Sequence, residues 1–182
     1  MITRRMKSAS VVAMAMLGLA SAAWAQGGTV AAKNSGDEIS GTPTSPVHYY
    51  SKQQVDASFA KTGGGDLLYD GDGGSRNFTL MTSVRDTSGN VEVHMHVTDV
   101  IYIVKGSATI VTGGKLSDVI EGAKSPNGKA FPKDEIRGHN IIGGESHHLA
   151  AGDVIIIPNG VPHQFTEVEA PFSYYTVKVH QP

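Results

Sequence analysis

The chain has 182 residues, of which 40% are apolar and 18% charged, with 22 glycines and no cysteine. This length supports one domain with a real core, and the composition excludes a disordered chain. A formal charge of −2 without basic runs argues against nucleic acid or an anionic membrane as partner, and no disulfide can help stabilise the fold.

In chain order, Arg4, Arg5 and Lys7 precede an apolar stretch from Ser8 to Ala20, and Ala23-Trp24-Ala25 makes a small-x-small cleavage site. Together these features make residues 1–25 a bacterial secretory signal peptide. The apolar stretch, about 13 residues, is shorter than the roughly 20 a helix needs to cross a bilayer, so no membrane contact is expected after cleavage. Removing the segment takes Lys and Arg from 15 to 12 against 17 acids, which leaves a charge of −5. The expected location is the periplasm or the exterior of a Gram-negative-type cell. Residues 26–46 are rich in Gly, Ser, Thr, Ala and Pro and have no apolar period, so they read as a flexible leader to a domain over 47–182.

Ser51 and Gln54 form a capping box, and Val55 and Phe59 lie one helical turn apart, which predicts a helix over Lys52–Ala60. After Gly63-Gly64-Gly65 the apolar period drops to two. Strands are predicted over Arg76–Arg85, Val91–Val97, Val100–Val104 and Ser107–Thr112, with turns at Gly89-Asn90 and Gly113-Gly114. Glu121–Asn140 shows no period and reads as a long loop able to serve as a lid. Further strands follow at Glu145–Ala150, Asp153–Ile157, Pro162–Glu167 and Phe172–His180. The unbroken apolar run at Asp153–Ile157 suggests burial on both faces. The final strand puts Tyr174, Thr176 and Lys178 on one face and Val177 and Val179 on the other. The fold class is therefore all-β, a sandwich or barrel with one short N-terminal helix, and no exposed apolar stripe marks a dimer face.

Within the second of these strands His94 and His96 leave the same face, about 6.6 Å apart at Cα, a span two imidazoles can close onto one ion. His163, far along the chain, adds a third nitrogen from another strand, giving a three-nitrogen site with open positions. Glu92 shares that face, although Glu92 to His96 spans about 13 Å along an extended strand. Arg85 ends the neighbouring strand, where its guanidinium is either solvated or turned inward to bind an anionic substrate group.

Gly152, five residues, Pro158-Asn159-Gly160, two residues and His163 resemble the second conserved motif of the cupin superfamily at every spacing. His94-Met95-His96, then Asp99, then Gly106 after six residues resemble the first. Here the acid is Asp rather than Glu, and two residues separate it from His96 where the family has three or four. The resemblance covers most of Val47 to His180. It implies a double-stranded β-helix, a jelly-roll barrel, holding one divalent transition metal ion: Fe, Mn, Ni, Cu or Zn. The implied ligands are His94, His96, His163 and Asp99. Glu92 competes for the fourth place, and is otherwise a catalytic acid that moves a proton or faces the substrate. A metalloenzyme acting on a small molecule, of dioxygenase, isomerase or decarboxylase type, is the first reading. A non-catalytic periplasmic barrel that binds a small ligand or metal is the second, and a bare scaffold the third. The resemblance also implies a homodimer as a common state.

Overall fold

Two long strands run through both halves of the molecule, and the remaining strands pair along them. In the computed structural model the described residues are 46–61, 65–124, 128 and 130–181. The chain divides into units Met1–Thr44 and Ser45–Pro182, and the described residues fall in the second. The signal peptide and all of the leader but its last residue lie outside the described residues. Among those described, no helix is long and apolar enough to cross a membrane.

Helix α1 (Lys52–Phe59) starts at the Ser51 cap, whose hydroxyl accepts from the Gln54 N–H while the Gln54 side chain returns to the Ser51 N–H. Phe59 packs edge-on against Tyr175, 5.2 Å between ring centres. The strands are β1 (Gly65–Tyr69), β2 (Phe78–Arg85), β3 (Val91–His94), β4 (Val97–Thr112), β5 (Lys115–Val119), β6 (Glu135–Ile142), β7 (Glu145–Ala150), β8 (Val154–Ile157) and β9 (His163–His180), with one helical turn, α2 (Gly71–Gly74), after β1. All pairings are antiparallel. The first half of β4 lies between β8 and the second half of β9, which continues to β2 and β1. The second half of β4 lies between β7 and the first half of β9, which continues to β3, β6 and β5. Two sheets sharing two bent strands in this way form a double-stranded β-helix.

The bend in β4 falls at Gly106, where the register against β9 shifts. Gly106 has φ +79°, and a Cβ there would lie 2.6 Å from the Pro171 carbonyl oxygen, so only glycine lets the strands approach. Inward residues of both halves fill one end of the barrel: Ile101, Ile103, Ala108 and Ile110 from β4, Leu149, Ile157, and Phe165, Phe172 and Tyr174 from β9. The other end is polar, with buried His94, Asp99, His163 and Thr176.

Several expectations are corrected. The predicted strands Val100–Val104 and Ser107–Thr112 are one bent strand, as are Pro162–Glu167 and Phe172–His180, because the Gly106 bulge bends β4 against β9 without ending their pairing. The apolar run of β8 is not buried on both faces: Val154 is 57% and Ile156 62% exposed, since β8 sits at a sheet edge with only its inner face covered. With the neighbouring Tyr102 and Val104 they form an exposed apolar row that the sequence did not reveal. The stretch read as one long loop contains most of β6, whose alternation is inverted. Glu135 and Arg137 turn inward while Ile136 is exposed, so a test for buried apolar residues misses the strand.

Candidate metal centre

Antiparallel register brings the site residues together from four strands. On β3, Glu92 is paired with His163 of β9 on one side and Arg137 of β6 on the other, and His94 is paired with Glu135. Glu92, His94 and His163 each present a ligand atom within 4.8 Å of the others. From β4, an Asp99 oxygen lies 3.4 Å from Nε2 of His94 and 3.8 Å from Nε2 of His163. These groups line an interior cavity of about 550 Å3, together with Arg85 and Lys178.

The charges are arranged to keep the carboxylates ionised. Burial opposes ionisation of Glu92, but the hydrogen bond from His94 and the charges of Arg137 and Arg85 outweigh it and hold its pKa well below the usual range. Arg137 reaches Glu92 at 2.7 Å and also grips Glu135, and its guanidinium stacks 4.0 Å from the centre of the Phe131 ring. Arg85 reaches Glu92 at 3.1 Å, and its Nε donates to the Tyr174 hydroxyl at 2.8 Å. Asp99 is likewise shifted down: burial opposes this, and His94 and Lys178 overcome it.

The two histidines differ. Nδ1 of His163 lies 3.1 Å from the Val161 carbonyl, which can only accept, so the proton sits on Nδ1 and Nε2 is left with its lone pair facing the cavity. Burial lowers the His163 pKa despite the nearby Glu92 charge, which keeps the ring neutral. Burial works the same way on His94, but Asp99 and Glu92 overcome it and raise its pKa to about 9.

His96 does not join this group. β3 ends at His94, and Met95 and His96 form an exposed bend. The Met95 N–H donates to the Asp134 carbonyl, the Asn159 side chain to the Met95 carbonyl, and the Gln181 N–H to the His96 carbonyl. These bonds draw the backbone out of the ladder, so the two-residue period that put His94 and His96 on one face stops between them. The first motif therefore reads in a different register. Glu92-x-His94 takes the place of His-x-His, four residues lead to Asp99, and six more to Gly106. Counted this way the spacing departure disappears. The second motif spans the turn into β8, β8 itself and the turn delivering His163, with Gly152 and Gly160 both at positive φ.

The fold is the double-stranded β-helix that the resemblance implies.

Among solved structures, the chain is similar to KdgF from Halomonas sp., with 12% identity over 68% of this chain and 85% of that one and a TM-score of 0.43. It is also similar to a protein with a double-stranded beta-helix domain from Klebsiella pneumoniae, with 17% identity over 74% and 91% of the two chains and a TM-score of 0.45. A predicted oxalate decarboxylase from Thermotoga maritima gives 14% identity over 64% and 78%, with a TM-score of 0.40. No family model matches the chain, and no curated protein matches it.

Arg85, Glu92, Asp99, His94 and His163 thus share one cavity, and His96 lies outside it. Three charged cavity residues were not assigned to the site from sequence: Glu135 and Arg137, placed in the supposed loop, and Lys178. The last was visible as the end of the Tyr174-Thr176-Lys178 face, which the sequence reading assigned to neither side of the barrel. In the barrel that face points inward.

Proposed function

We propose that the protein is an exported mononuclear metalloenzyme acting on a small anionic molecule inside the barrel. The observation that carries this reading is the convergence of Glu92, His94 and His163 within 4.8 Å on the wall of a ligand-sized cavity. The donor set fits the role, since two imidazoles with carboxylates suit Fe, Mn, Ni, Cu or Zn. Glu92, His94 and His163 would hold the ion, with Asp99 beside them. Bound there, a metal supplies a Lewis acid for the substrate's oxygen atoms.

The protein's own groups then divide the remaining work. Glu92, whose ionisation is favoured so strongly, suits a ligand better than a proton donor. Arg85 and Arg137 line both the interior cavity and an adjacent outer hollow of about 730 Å3, which Glu92 and Phe131 also share. They are placed to orient an anion on its way in, by bidentate hydrogen bonds. Among the described groups of the cavity, Glu92, Asp99 and Glu135 balance Arg85, Arg137 and Lys178, and the raised pKa of His94 adds a proton that a bound metal would replace. A divalent ion tips that balance positive, which favours an anionic substrate. Export rests on the signal peptide read at residues 1–25. The homodimer belongs to the same reading, with the row of Tyr102, Val104, Val154 and Ile156 as the face that two copies would share.

The test is elemental analysis of mature protein recovered from the periplasm, beside a folded His94→Ala/His163→Ala variant. About one equivalent of metal in the wild type, lost in the variant, is expected for a single three-ligand site. Protein that holds no metal after reconstitution with each of the five ions would overturn the reading.

A further inference from the structure

Lys178 is the direct cross-strand partner of Asp99, β9 against β4. Its Nζ lies 2.9 and 3.1 Å from the two Asp99 oxygens and 3.1 Å from Nε2 of His94. The Asp99 side chain is only 5% exposed and the lysine's 23%, so the pair sits inside the cavity rather than at its rim. The other two cavity cations, Arg85 and Arg137, hold Glu92 instead.

The ammonium thus occupies the atoms that a metal at this centre would use. Nε2 of His94 lies 3.5 Å from the Glu92 carboxylate, its partner in the ligand group, and Asp99 is the carboxylate at the motif position that the resemblance assigns to the metal. An ion bonded to that nitrogen, at the roughly 2 Å of a metal–imidazole bond, and an ammonium about 3 Å from the same atom would repel each other strongly in a buried site. Asp99 would also have to exchange one cation for another. We propose that Lys178 is a built-in competitor for the metal, a tethered cation that holds Asp99 beside Nε2 of His94 until a divalent ion displaces it. This rests on the metal reading above. In metal-free protein the lysine would keep the buried carboxylate paired, and it makes the metal affinity lower than the donor set alone would give.

The test titrates mature wild type, Lys178→Met and Lys178→Arg with Co2+ by calorimetry at pH 7, with the visible spectrum reporting coordination and thermal unfolding in EDTA reporting the fold. Lys178→Met, similar in length and uncharged, should bind one Co2+ about tenfold or more tighter than wild type, the order of one charge-assisted hydrogen bond no longer broken. Lys178→Arg, which keeps the charge, should bind no tighter than wild type. Lys178→Met should also melt lower in EDTA and gain more from Co2+ than wild type does. Should it fail to fold, the double variant Lys178→Met/Asp99→Asn removes both charges, and its ligand group should still bind more tightly than wild type.

Equal or weaker Co2+ binding by folded Lys178→Met would overturn the inference and leave the metal reading standing. Binding by Lys178→Met but not by wild type would support the inference and overturn the metalloenzyme reading. No binding by any variant would overturn both.

Discussion

Replacing Glu92 with Gln removes one charge from the centre at nearly constant volume. Its carboxylate accepts from Arg137 at 2.7 Å and Arg85 at 3.1 Å and stands 3.5 Å from Nε2 of His94, with the side chain 17% exposed. Breaking a buried ion pair by removing one partner costs about 3–5 kcal/mol. Two features reduce that here. The glutamine carbonyl still accepts one hydrogen bond, and Arg137 keeps Glu135. Arg85 fares worse, keeping the Tyr174 hydroxyl and the face of Phe165 but no countercharge among these contacts. The expected loss is about 2 kcal/mol, or roughly 4–8 °C in Tm for a domain of this size. Urea unfolding at pH 7 in EDTA, monitored by far-UV circular dichroism, reads it directly. In a cycle with Arg85→Met, the second substitution should cost markedly less once Glu92 is gone. A loss below about 0.5 kcal/mol, within the range of ordinary surface changes, would refute the view that Glu92 is the electrostatic hub of the cavity.

Other expectations follow from the same geometry. His96→Ala should leave the Co2+ affinity of the folded protein within about twofold of wild type, whereas His163→Ala should lower it by about a hundredfold or more, the loss of a direct ligand being at least that of a supporting contact; equal losses would restore the His94-x-His96 register. Gly106→Ala should cost about 2–4 kcal/mol in urea unfolding, because it combines positive φ with a clash against the Pro171 carbonyl, and an unchanged midpoint would show that the β4 bend tolerates a side chain. In metal-free protein the stability conferred by His94, whose pKa is raised, is fully present below its ordinary 6.5 and lost as pH rises through about 9. That of Glu92 and Asp99, whose pKa values are lowered, is present above their ordinary 4.5 and 3.8 and lost as pH falls through the depressed values. His163, whose pKa is lowered, adds stability that is present above its ordinary 6.5 and lost as pH falls through its depressed value. Stability should therefore peak near pH 6.5, and a melting temperature that rises from about pH 7 to 9.5 would contradict the assignment for His94.

The limits of the sequence reading are clearest at β3. Its period of two was legible, and so was the acid at Asp99. The point where the strand ends was not, because it is set by bonds from Asp134, Asn159 and Gln181, residues remote in sequence that converge on Met95 and His96. β6 was hidden for a related reason. Its inward residues are the charged Glu135 and Arg137, which are stable inside only because Glu92 and His94 of β3 lie opposite them. A pattern search that equates inward with apolar cannot find such a strand.

What the sequence determined by itself is whatever depends on near neighbours. The capping box at Ser51 and Gln54, the glycine turns, the alternation of β2 and β9, and the spacing from Gly152 to His163 are local, and they suffice for an all-β jelly roll with a histidine delivered to its interior. Only the tertiary structure decided which charges meet. Glu92 instead of His96 joins His94 and His163, and Lys178 lies against Asp99, because antiparallel register across β3, β4 and β9 pairs residues about 70–80 positions apart in the chain. Register is a property of the whole closed sheet, and no local period records it.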